Sequence, residues 1–158
     1  MTTQNYSNLS DIIVPTNDAF TYRGLGGDDT YILASDTNAK IDIVDTDGNN
    51  TIQLPEWSKI KSIIFTSDAV RLTCDDMTVF TINGADKFSY DVGGNKTNNE
   101  IGEIFTFSEF ANLFGTAIPE TGQVSIDDDK IIYDDALAEL LNVEVKSEDS
   151  GNKFYINY

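Results

Sequence analysis

The sequence predicts a mainly β fold with one or two short helices, either β-roll-like or built as a β-sandwich of stacked sheets. Three observations carry this. Short runs rich in β-branched and aromatic residues recur from Ala19 to Val92, clusters of Gly, Asp and Asn separate them, and several runs alternate apolar and polar side chains with the period of a strand.

The chain opens on "MTTQNYSNLSD", small and polar with little to bury, so residues 1–18 predict a flexible arm or an extension that docks on a neighbour. Residues 19–158 predict a single β-rich domain, long enough to bury a core. Within it "AFTYR", "TYILA", "KIDIVD", "TIQL", "KSIIFT", "AVRLTC", "MTVFTI" and "KFSYDV" read as strands. In "MTVFTI" Met77, Val79 and Thr81 share one face and Thr78, Phe80 and Ile82 the other; in "KIDIV" Ile41 and Ile43 oppose Lys40 and Asp42. Cys74 falls on the face of Leu72, which predicts a buried, inert thiol. "CDDM" and "NGADK" carry tight-turn chemistry, and Asn83-Gly84 predicts a two-residue hairpin connection.

The texture changes after "DVGGNKTNNEIG". In "TFSEFANLFG" Thr106 or Ser108 can cap a helix, Phe107, Phe110, Leu113 and Phe114 fall at helical spacing, and Gly115 stops the run. A second short helix is predicted at "DDALAELL", with Asp134 and Asp135 at its positive end and Leu137, Leu140 and Leu141 on its apolar side. "VEVK" and "KFYINY" predict closing strands around the polar loop "SEDSGN".

Charge and composition exclude whole classes of function. A formal net charge of −17, from 27 acids against 10 bases, repels nucleic-acid backbones and anionic membranes, and makes cations the natural partners. The chain has no histidine, which rules out imidazole acid–base relays, Ser-His-Asp and Cys-His nucleophiles and histidine-ligated zinc. Its one cysteine cannot form an intrachain disulfide. No stretch is apolar and long enough to span a bilayer, so no membrane insertion is expected. The N-terminus lacks the features of a cleavable signal peptide, so any export is expected by a route that does not read it.

The stretch that can carry chemistry is "GLGGDDTYILASDTNAKIDIVDTDGNNTIQL", residues 24–54. Against the repeat G-G-x-G-x-D-x-U-x, with U large and apolar, Gly24, Gly27, Asp29 and Tyr31 fit while Leu25 replaces the second glycine. In that repeat a six-residue turn lets glycine carbonyls point inward and an Asp supplies charge. A three-residue strand follows, and two turns stacked on one side enclose calcium. "DTDGNNTIQ" is a degenerate second copy, with Gly48, Asn50 and Ile52 at the later positions and Asp45 and Thr46 where glycines are expected. Asp29 and Asn50 are 21 residues apart, against 18 for two nonapeptides, so "ASDTNAK" must bulge.

Two other readings cover the same residues. "DTDGNNTIQLPE" places Asp45, Asp47, Asn49, Ile52 and Glu56 at positions 1, 3, 5, 8 and 12 of an EF-hand-type loop, although its flanks are not helical and Pro55 disturbs the ligand-bearing end. Alternatively "GGDD" and "DGNN" are ordinary hairpin turns, which demand Gly, Asp and Asn whether or not a metal binds.

"GLGGDDTYIL" resembles the calcium-binding nonapeptide repeats of the repeats-in-toxin family of secreted bacterial proteins. "IDIVDTDGNNTIQL", followed by "VFTINGADKFSYDVGGN", is similar to a non-catalytic segment that accompanies such repeats in large exported proteins. The resemblance implies export by a type I apparatus that reads an uncleaved C-terminal signal, and folding outside the cell when calcium is available. It implies Ca2+ as the bound ion, Asp29 as the leading side-chain ligand, carbonyls from Gly24 and Gly26, and Asp28, Asp47, Asn49 and Asn50 as further candidates. Asp45 joins that set as the first residue of the DxDG loop.

An enzyme would have to be built from carboxylates alone, such as Glu56, Asp75, Asp76, Glu103 or Glu109, and no pair of them is singled out, so no catalytic residue is expected. A glycan-binding adhesion module would display aromatics on a sheet face, with Trp57, Tyr22, Tyr90 and Tyr133 available. A cell-surface, matrix, fibre or layer component needs only a stable β body, calcium and a self-associating edge. The expectation is the last: a non-catalytic, calcium-binding, secreted protein, with the glycan-binding module as the alternative.

Overall fold

The computed structural model of the chain describes residues 2–33, 38–54, 60–74, 77–92 and 102–127, and the backbone alone of 132–133, 145–147 and 154–156. Its described part is mainly β with one short α-helix. The strands are β1 (Thr2–Asn5), β2 (Ile12–Ile13), β3 (Phe20–Arg23), β4 (Thr30–Ile32), β5 (Lys40–Val44), β6 (Asn50–Leu54), β7 (Ile60–Phe65), β8 (Ala69–Cys74), β9 (Val79–Asn83), β10 (Phe88–Val92), β11 (Glu103–Phe105) and β12 (Val124–Asp127). Helix α1 spans Phe107–Leu113, and β13 (Ile132–Tyr133), β14 (Val145–Ser147) and β15 (Phe154–Ile156) form a small sheet of their own. Each run from "AFTYR" to "KFSYDV" forms a strand. The predicted helix at 134–141 lies outside the described residues, as do Asp75 and Asp76 of "CDDM".

The chain coils between two sheets. One has the order β1-β3-β5-β9-β8-β7-β12 and the other β11-β10-β6-β4-β2. Successive strands from β1 to β6 alternate between the sheets, and within each sheet their neighbours run parallel. Thr2 stands beside Phe20 and Ile12 beside Thr30, one coil being 18 residues, the length of two nonapeptides. Phe20 stands beside Ile41 and Thr30 beside Thr51, so the next coil is 21 residues long. The three extra residues fall between Leu33 and Lys40, where the sequence requires a bulge, and the ladder on either side keeps its register. The antiparallel hairpin β7–β8 is then inserted before β9 and β10 close a last coil, parallel to β5 and β6.

Alternation along the strands fills the space between the sheets. Tyr22, Ile43, Ile82 and Val70 form one inward row, and Ile13, Tyr31, Ile52 and Tyr90 another, all buried. Burying each such side chain contributes roughly 1.5–3 kcal/mol, which fixes register, since a slip of one residue would turn the row outward. Cys74 is buried beside Leu72, as its spacing predicts. Helix α1 starts in a capping box: Thr106 Oγ1 accepts from the Glu109 N–H at 3.2 Å, and Glu109 Oε1 accepts from the Thr106 N–H at 2.9 Å. It packs Phe107 and Phe110 on Tyr90, the Phe110 ring stacking at 4.5 Å, and ends at Gly115, with φ 78°.

Two expectations are corrected, and one alternative reading is set aside. The residues expected to be a flexible arm form the first coil: Thr2–Asn5 pairs with Phe20–Arg23, and Ile13 is buried. The polar composition misleads because edge-strand ladder bonds need no apolar side chains. Asn83-Gly84 does not make a hairpin. Gly84, at φ 67°, opens a 3-10 turn over Ala85–Lys87 that carries the chain across to the other sheet. The EF-hand reading fails because strand β5 stands where a flanking helix is needed and Asn50 to Leu54, the second half of the loop, are strand β6.

Candidate functional site

Register sets three turns over one another at the end of the coil where β1 passes to β2, β3 to β4 and β5 to β6: residues 6–11, 24–29 and 45–49, with Asn50, the first residue of β6, standing beside Asp29. They stack closely. A Cβ on Gly48 would collide with the Gly27 carbonyl and one on Gly27 with the Leu9 backbone, and both glycines take positive φ, 84° and 88°. Leu25, which replaces a glycine of the repeat, takes φ 67°, a conformation glycine adopts without the Cβ cost.

Side chains tie each turn to the next. The Asp28 N–H donates to Ser10 Oγ at 3.1 Å and the Asn49 N–H to Asp28 Oδ1 at 2.9 Å. The Asp11 N–H donates to Asp29 Oδ1 at 2.7 Å, and the Asp29 N–H to Asn50 Oδ1 at 2.9 Å. Asn50 Nδ2 donates to the Asp47 carbonyl at 2.8 Å. Of the eight candidate ligands, Asp28 and Asn50 therefore hold turn to turn through their side chains and Asn49 through its backbone N–H alone, while Asp47 and Asn49 are exposed. The Gly26 N–H makes a long contact, 3.4 Å, with Asn8 Oδ1.

Gly24, Asp29 and Asp45 converge. A Cβ on Gly24 would collide with Oδ2 of both aspartates, so the missing side chain is the space in which the two carboxyls meet. Asp29 is 1% exposed and Asp45 4%. Asp45 Oδ2 accepts from the Tyr31 hydroxyl at 2.7 Å, and Oδ1 from the Asp47 N–H at 3.3 Å. The Tyr31 oxygen in turn accepts from the Gly24 N–H at 2.6 Å. Asp29 Oδ2 is buried with no donor reaching it, and the group it faces is the Asp45 carboxyl.

Burial, and then Asp45, push the Asp29 carboxyl up to about 6, against the pull of the Asp11 N–H. Burial, and then Asp45, likewise raise the Tyr31 hydroxyl, which stays a neutral donor. Two buried carboxyls aimed at one point can share a proton or take a cation. Among the described residues no group of three or more His, Cys, Asp and Glu side chains converges, so a cation here would complete its shell from carbonyls and water.

Sequence reasoning missed Tyr31 as a site residue, reading it only as the large apolar position of the repeat. The signal was present: a tyrosine at a core position must find a partner for its hydroxyl. It also missed the Asp11 N–H, because the first turn carries no glycine. Of the aromatics considered for glycan stacking, Tyr22 and Tyr90 are buried, while Trp57 and the Tyr133 side chain lie outside the described residues. Comparison of the chain with protein-family models, with characterised proteins and with solved structures finds no match.

Proposed function

We propose that the stacked turns hold one calcium ion between Asp29 and Asp45, and that this is a non-catalytic, secreted protein stabilised by calcium, acting as a component of a cell surface, matrix, fibre or layer. One observation carries the cation: Asp29 Oδ2, buried without a donor, aimed at a second buried carboxyl. Left alone, that arrangement costs the folded state the desolvation of two like charges. A hard divalent cation that takes oxygen ligands offsets it, and offsets part of the self-repulsion of a chain of charge −17. Asp29 and Asp45 would supply the side-chain oxygens, with Gly24 as the position whose bare Cα leaves room.

The surface role rests on the resemblance of residues 24–33 to calcium-binding repeats of exported proteins, on the composition, and on the coil itself, an architecture that adds layers without changing its ladder. A cation that binds only the folded form stabilises it by mass action, so folding would follow calcium availability.

The test is terbium luminescence of the chelator-treated protein. Tyr31 hydrogen-bonds Asp45 and sits where it can sensitise a bound lanthanide. Sensitised emission that calcium competes away, that Asp29→Asn abolishes, and that accompanies a rise in Tm with calcium is the expected result. No calcium-dependent rise in Tm, or emission unchanged in Asp29→Asn, rejects the site.

A further inference from the structure

We infer that the open end of the coil, formed by β1 and β2, is a homotypic interface at which a second copy of this chain docks across a two-fold axis. At this end both sheets stop with an unpaired edge: among the described residues β1 pairs only with β3, and β2 only with β4. The Thr2 and Tyr6 N–H groups donate to Ala19 and Arg23, so in a parallel ladder the N–H and C=O of Thr3 and Asn5 point away from β3. The Asp11 carbonyl accepts from the Thr30 N–H, so the backbone groups of Ile12 point away from β4. Around these edges stand Leu9, Ile12 and Val14, 75%, 51% and 46% exposed, three of the five large apolar side chains most exposed among the described residues.

Charge selects the occupant. On a chain of −17, residues 2–17 carry a single charged side chain, Asp11, whose carboxylate accepts from the Ser7 N–H and hydroxyl. A basic partner would be drawn to the acidic remainder, whereas a second copy of charge −17 meets least repulsion at this nearly neutral end. At the opposite edges β11 begins at exposed Glu103, followed by Ile104, 48% exposed, and β12 ends at Asp127.

Geometry then points to a second copy rather than a single extended peptide. The two edges lie in stacked sheets about 10 Å apart, and a lone strand can satisfy only one of them. A two-fold axis along the sheet normal brings β1 against β1 and β2 against β2 of the other copy, antiparallel, and extends both sheets at once. This inference stands apart from the cation site and is tested in chelator, so either can fail without the other.

The experiment is sedimentation velocity on the full chain over a wide concentration range, with and without calcium, for wild type, Thr3→Pro and Ile12→Glu. Thr3→Pro deletes an outward N–H and keeps the bonds to β3; Ile12→Glu brings like charges together at the axis. Wild type is expected to form a calcium-independent dimer that each substitution reduces to monomer, with unchanged circular dichroism. Single cysteines scanned through Thr2, Thr3, Gln4 and Asn5 should yield a disulfide-linked dimer at one position, Cys74 being buried. A wild-type chain that is monomeric throughout, a dimer that survives both substitutions, association seen only with calcium, or a scan without a cross-link overturns the inference.

Discussion

Asp29 and Asp45 belong to successive turns of one coil, and their carboxyls meet over Gly24, both buried, with Tyr31 donating to one and no donor serving the facing oxygen of the other. The next position of the same column shows what a neutral occupant looks like. Asn50 accepts from the Asp29 N–H through Oδ1 and donates through Nδ2.

Asp29→Asn should therefore stabilise the calcium-free protein. Its Oδ1 keeps the Asp11 N–H, while an amide in place of Oδ2 turns two facing acceptors into a donor and an acceptor. Relief of one buried like-charge contact is expected to add about 1–2 kcal/mol in urea unfolding at neutral pH in chelator, and the calcium response should vanish. A variant less stable than wild type in chelator contradicts the carboxyl pair.

The pH dependence has a definite sign. Asp29 is raised from 3.8 in its ordinary state to about 6 in the fold, so the folded protein holds this proton more tightly. The contribution is fully present below the ordinary value and is lost as pH rises through about 6. Without calcium, the difference in unfolding free energy between Asp29→Asn and wild type should widen between about pH 4 and about pH 7. Calcium affinity should rise over the same window as the cation displaces the proton. A difference independent of pH would show that Asp29 titrates as an exposed carboxylate does.

Strands and α1 were legible because their signals are local: period-two alternation in "MTVFTI", and a capping residue, Thr106 or Ser108, beside apolar residues at helical spacing. The coil of β1 and β2 was not, since Thr2–Asn5 is held by backbone bonds that leave no mark in composition. In the site, Asp29 and Gly24 were legible from the repeat. Which acids meet was not, because it depends on how Leu33–Lys40 absorbs three residues and brings the Asp45 turn back into register.

Gly24→Ala probes the same space without changing charge. Its methyl would displace both carboxyls and the Asp29 Cγ, in a stack where neighbouring turns already touch through backbone. The expected cost is about 1–3 kcal/mol by urea unfolding, with the larger loss in calcium. An unchanged calcium response would place the cation elsewhere.

Tyr31→Phe removes one oxygen that serves two buried partners. The Gly24 N–H loses its acceptor and Asp45 Oδ2 its donor, while the ring keeps its edge-on contact with Phe88, centroids 5.9 Å apart. Leaving a buried amide and a buried carboxylate oxygen unmet should cost about 2–4 kcal/mol in chelator at neutral pH. Part of that loss should return with calcium, which can meet Asp45 in place of the hydroxyl, and part should not, because no cation can accept from the Gly24 N–H. Calorimetric scans of wild type and Tyr31→Phe, each with chelator and with calcium, separate the two parts. Equal losses in both conditions would mean that Tyr31 holds the turn and has no part in positioning Asp45 for a cation.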